Sequence, residues 1–117
     1  MSLSTHVLDT VQGSPAKGMK IELWHLGINN HRTLIRQVET NNDGRVDTPL
    51  LTEGDAKPGE YELIFYVAEY FLGRGEKLSE PPFLDKVPIR FGIADPGSHY
   101  HVPLLITPWS YSTYRGS

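Results

Sequence analysis

The chain has 117 residues, with 11 Lys and Arg against 14 Asp and Glu, a net charge of -3 and no cysteine. That composition excludes a disulfide scaffold, a thiolate metal site and a cysteine nucleophile. The basic residues are scattered singly, so nothing offers a stripe for nucleic acid or an anionic membrane. A chain of this size buries roughly two-thirds of its unfolded surface, enough for one core, and residues 1–117 are read as one domain.

The opening residues, Met1-Ser2-Leu3-Ser4-Thr5-His6, lack the charged and apolar regions of a signal peptide. No apolar run approaches the roughly 20 residues that span a bilayer. A soluble cytoplasmic protein is expected; a periplasmic or peroxisomal form stays open if a targeting segment has been removed.

Short strands separated by turn residues follow in order. Over Thr5–Thr10 the alternation puts Thr5 and Val7 on one face and His6 and Leu8 on the other. Residues 12–18, with Gly13, Pro15 and Gly18, read as a turn. Met19, Ile21 and Leu23 then point inward while Lys20 and Glu22 point outward. Gly27–His31 is a loop and Leu34–Thr40 a further strand. Asn41-Asn42-Asp43-Gly44 is a hairpin turn, because these residue types tolerate positive φ, and it delivers Arg45-Val46-Asp47 to the mouth of a short strand.

After the polar connection 52–59, Tyr61, Leu63, Phe65 and Val67 share one face of the longest strand. Ala68–Gly73 suits a short helix ended by glycine. Pro81-Pro82 breaks the chain, and Val87, Ile89, Phe91 and Ile93 mark another inward alternation, where Pro88 favours a strand start or sheet edge. Asp95-Pro96-Gly97 turns into two closing strands. About eight short strands and one helical turn make a β-sandwich the expected class.

The candidate chemistry gathers on the outer faces. His6 sits beside Leu8, and His101 lies between the inward pair Tyr100 and Val102, so it points outward with His99, Pro103 and Leu105. Ser112 and Tyr114 share a parity on the last strand. A face that mixes histidines with apolar residues is expected to be covered by something other than its own core, most economically by copies of the same chain. The His99/His101 spacing also suits a metal, but no Asp or Glu flanks the pair on that strand, and no metal site is assigned. His25 and His31 are read as solvated surface or loop histidines. No serine sits in a Gly-flanked elbow, so a Ser-His-Asp triad is not supported. On these residues alone the chain's ending suits an edge hairpin with its polar groups in water equally well.

Three separated motifs, in order, carry a resemblance. His99-Tyr100-His101-Val102-Pro103-Leu104-Leu105 followed by Ser110-Tyr111-Ser112-Thr113-Tyr114-Arg115-Gly116-Ser117, the opening Thr5-His6-Val7-Leu8-Asp9-Thr10, and Asp43-Gly44-Arg45 resemble the transthyretin-related 5-hydroxyisourate hydrolases. The resemblance implies a transthyretin-like sandwich of two four-stranded sheets with one short helix. It implies a homotetramer whose active sites open where two dimers meet, with no cofactor and no metal; no nucleic acid and no membrane are expected from the scattered charge. It identifies His6, Arg45 and His101 with the family's catalytic residues, and Tyr114, Arg115, Gly116 and Ser117 with its substrate-binding tail. Ser117 is expected to close the pocket. The implied reaction is hydrolysis of 5-hydroxyisourate to 2-oxo-4-hydroxy-4-carboxy-5-ureidoimidazoline. A small-ligand carrier on the same scaffold is the alternative, which a phenol ring at Tyr114 would constrict. The stretch from Gly73 to Lys86 is longer than in compact members of the family.

Overall fold

In the computed structural model residues 2–116 are described. Their elements are β1 (Ser2–Asp9), β2 (Ser14–Pro15), β3 (Lys20–Leu26), β4 (Arg32–Glu39), β5 (Gly59–Tyr66), α1 (Val67–Gly73), β6 (Lys86–Ile93), β7 (His99–Ile106) and β8 (Tyr111–Thr113). The strands form two four-stranded sheets, ordered β2-β1-β7-β8 and β4-β3-β5-β6. All neighbours are antiparallel except β1 and β7, which run parallel. The β-sandwich expected from the alternation is therefore the observed class.

Alternation decides what each sheet buries. Val7 from β1 and Leu104 and Ile106 from β7 face Ile21 and Leu23 from β3 and Leu63 and Phe65 from β5, all fully buried. Each such side chain is worth roughly 1.5–3 kcal/mol of burial. The buried threonines bond to distant backbone carbonyls: the Thr5 hydroxyl donates to the Val102 carbonyl at 2.7 Å, and the Thr40 hydroxyl donates to the Ala16 carbonyl at 2.7 Å. Helix α1 packs Val67, Ala68, Tyr70 and Phe71 inward. Its Tyr70 hydroxyl donates to buried Asp9 at 2.8 Å, which pins the helix to the end of β1. Pro88 lies on β6 at a sheet edge, where its missing N–H costs no ladder bond.

Four expectations need correction. The first strand begins at Ser2, because residues 2–4 pair with residues 99–101 of β7. The stretch 12–18 is not all turn: Ser14 and Pro15 form β2 against Asp9 and Leu8. The short strand expected at Arg45-Val46-Asp47 is absent, and among the described residues none occurs between β4 and β5. The Asn41–Gly44 turn closes on itself through Gly44 N–H to Asn41 carbonyl at 3.0 Å and Asn41 N–H to Arg45 carbonyl at 2.7 Å. The chain beyond it finds no strand partner and instead plugs Leu50 and Leu51 into the core. His25 is half-buried on β3, with its ring edge-on to Tyr61 at 5.2 Å, while His31 is exposed as expected.

Candidate active site on the outer face of β1 and β7

The parallel register of β1 and β7 sets Ser2 opposite His99, Ser4 opposite His101 and His6 opposite Pro103. Because Leu3, Thr5 and Val7 fill the core, Ser4, His6 and Leu8 take the other face. His101 joins them there, half-buried, with its Nδ1 2.8 Å from the Ser4 hydroxyl oxygen. Ser2 makes the same contact with Nδ1 of His99. The two histidine rings lie nearly parallel, 6.4 Å apart with an interplanar angle of 9°.

Arg45 reaches this face because of the turn before it. The Asn41 side chain accepts the Asp43 and Arg45 amides at 2.9 and 3.1 Å, an Asx turn. Gly44 adopts φ +74°, and a Cβ there would stand 2.3 Å from the Val7 carbonyl oxygen. Glycine thus lets the turn press against β1, where the Val7 amide donates to the Gly44 carbonyl at 2.8 Å. Arg45 leaves the turn beside the strand that carries His6.

The tail arrives from the other side. Thr107 Oγ1 accepts the Trp109 and Ser110 amides at 3.0 and 2.9 Å, reversing the chain into β8. Beyond β8 the backbone returns to β7, and the Gly116 amide donates to the His101 carbonyl at 2.8 Å. A Cβ on Gly116 would meet His101 Cδ2 at 2.4 Å, so only glycine fits against the ring. The Arg115 side chain is directed elsewhere: its guanidinium sits 4.2 Å over the Tyr100 ring and donates to the His99 carbonyl at 3.3 Å. Tyr114 and Arg115 line an apolar cleft of about 350 Å³ with Ile89, Phe91, Tyr100 and Val102. Ser117 lies outside the described residues.

Burial is the main cause that holds the His101 pKa below the ordinary imidazole range, and the positive charges of Arg45, His99 and His6 act in the same direction. A bond to Ser4 opposes them. These causes favour the neutral imidazole of His101, the form that accepts a proton. Among the described residues no group of three His, Asp or Glu is arranged to hold a metal ion. The structure brings His6, Arg45, His101 and Gly116 to one locality, whereas the Tyr114 and Arg115 side chains line the separate cleft against Tyr100 and Val102, on the other face of β7. Ser4 joins the site without having been singled out, its signal being its parity with His6, and Gly44, named in the sequence for its turn and motif, proves to position the site as well.

A family model described as HIUase/Transthyretin matches residues 3–116. The chain belongs to the HIUase/Transthyretin family. It is 57% identical over 115 residues to 5-hydroxyisourate hydrolase 2 of Rhizobium meliloti (strain 1021), covering 98% of this chain and 95% of that protein. Among solved structures, a crystal structure of (S)-allantoin synthase is similar with a TM-score of 0.92 and 47% identity. That match covers 99% of this chain but 43% of the other, so this chain spans less than half of that protein. Sea bream transthyretin in complex with thyroxine superposes with a TM-score of 0.87 at 27% identity, covering 99% of this chain and 95% of that one. The transthyretin-like sandwich expected from the motifs is thus the fold of this member.

Proposed function

We propose that this chain hydrolyses 5-hydroxyisourate to 2-oxo-4-hydroxy-4-carboxy-5-ureidoimidazoline, with His6 and His101 activating water and Arg45 holding the substrate. The observation that carries this reading is the half-buried His101 ring on the outer face shared with His6, its Nδ1 2.8 Å from the Ser4 hydroxyl oxygen and Arg45 delivered beside the same strand. The 57% identity to a protein named for this hydrolysis supports the choice of substrate.

The steps follow from the groups present. Water attacks a ring carbonyl carbon, and a histidine takes its proton. The C–N bond of that carbonyl then breaks, leaving a carboxylate, and the freed ureido nitrogen receives a proton from a histidine. Atoms balance with water alone. Arg45 offers parallel N–H donors to a planar, oxygen-rich ring and stabilises the oxyanion as it develops. Gly116 closes the ring side of His101; the substrate-binding role of Tyr114, Arg115 and Ser117 belongs to the assembled form, since within one chain the Arg115 side chain turns to Tyr100.

The assembled form belongs to the same proposal. Trp109, Tyr111 and Tyr114 are 58%, 43% and 62% exposed, a concentration of aromatic surface around β8. A homotetramer that covers this surface would bring sites from different subunits together where dimers meet.

Freshly prepared 5-hydroxyisourate, followed by ultraviolet absorbance with and without the protein, tests the reading. Accelerated decay is expected. Unaccelerated decay, with retention of a planar aromatic ligand, would support the carrier alternative.

A further inference from the structure

His101 is held on two edges by distant parts of the chain. On one edge Ser4 Oγ lies 2.8 Å from Nδ1. On the other, Gly116 passes so close that a Cβ there would meet Cδ2 at 2.4 Å and Cγ at 3.1 Å. With Nδ1 engaged and the Cγ–Cδ2 edge covered, Nε2 is the nitrogen left for proton transfer.

The β1–β7 ladder makes this arrangement rigid. Ser4 and His101 are the third register pair of an eight-residue parallel pairing, so neither backbone can shift without breaking the pairs on both sides. A serine hydroxyl can donate or accept, so its role in this bond and the imidazole tautomer go together.

We propose that Ser4 is a positioning residue for the hydrolysis, accepting the Nδ1–H of His101 and so fixing the tautomer whose Nε2 lone pair faces the substrate. The inference rests on the reading of His101 as proton acceptor. It adds what that reading lacks, an identity for the reacting nitrogen and a group that enforces it. The charged and titratable groups acting on the ring are Arg45 from the turn, His6 from β1 and His99 from β7, and all are left in place by a change at Ser4.

The test compares Ser4→Thr with Ser4→Val, two strand-compatible side chains of equal shape that differ in the hydroxyl, and runs His101→Ala beside them. Thr should keep wild-type kinetics. Val should lose roughly 3- to 10-fold in kcat, the size of one neutral hydrogen bond, with KM unchanged. An acceptor for Nδ1–H favours the imidazolium, so its loss should also move the acid limb of kcat/KM to lower pH. Equal kcat for Thr and Val overturns the proposal, as does an acid limb that stays or moves up, since the latter means Ser4 donates to Nδ1. Wild-type turnover by His101→Ala would instead remove the underlying reading of His101.

Discussion

The Val7 amide donates to the Gly44 carbonyl at 2.8 Å, and this bond ties the turn that presents Arg45 to the strand that presents His6. Neither side chain makes the connection. It is backbone to backbone, and it exists because Gly44, at φ +74°, has no Cβ to strike the Val7 carbonyl. The distance between the arginine and the histidines is therefore set by a glycine.

Gly44→Ala follows directly. A methyl placed 2.3 Å from a backbone oxygen has no flexible side chain to push aside, and the positive φ adds strain of order 1–3 kcal/mol. The variant is expected to melt at a clearly lower temperature and to lose turnover as well. Thermal unfolding and steady-state rates on the same preparation check this.

Arg45→Ala should behave differently. The side chain is exposed, so the melting temperature should hardly move, within the roughly 0.5 kcal/mol of an ordinary surface change. Turnover should fall by about 10²–10³, the usual loss of one oxyanion-stabilising donor. Arg45→Lys should recover only part of it, because an ammonium lacks the planar fork. Kinetics of the two variants side by side distinguish charge from geometry.

The activity should have an acid limb below about pH 6.5, the ordinary imidazole value. The sign follows from the environment: burial first, then Arg45, His99 and His6, disfavour the imidazolium of His101. The site stays neutral and active above the depressed pKa and is lost as pH falls through it. A pH profile of kcat/KM, with a nuclear magnetic resonance titration of the His101 ring, measures both.

Stability at alkaline pH tests a different part of the molecule. The Tyr70 hydroxyl, pushed up to about 12 by burial and then by its bond to Asp9, favours the fold while protonated. That contribution is complete below the unfolded value of about 10 and is lost as pH rises through the folded one. Tyr70→Phe should cost roughly 1–3 kcal/mol at neutral pH, since buried Asp9 loses a donor while keeping the Val11 and Gln12 amides. It should also lack the Tyr70 share of the alkaline loss. Denaturant melts at pH 8 and pH 11 provide the comparison, and turnover at pH 8 should be retained.

The fold was legible wherever alternation was strong. Met19, Ile21 and Leu23, and Tyr61, Leu63 and Phe65, could be placed inward from period two alone, and each is buried. What could not be read was pairing between distant segments. Nothing local in Ser2-Leu3-Ser4 says that it lies parallel to His99-Tyr100-His101, so the serine partners of the histidines stayed hidden. The Asn41–Gly44 stretch carried a correct turn signal but a wrong destination. Hairpin chemistry fixes the local reversal, whereas the partner, β1, is chosen by packing. Gly116 could be listed in the tail from its motif, but its fit against His101 depends on a contact that only the fold creates.

The most direct measurement is the turnover of fresh 5-hydroxyisourate by His101→Ala, with assembly and melting temperature recorded on the same sample. The account predicts a rate lower by roughly 10²–10⁴, the usual contribution of a positioned general base, in a protein that remains folded and assembled. A folded, assembled variant that hydrolyses the substrate at nearly the wild-type rate would contradict it.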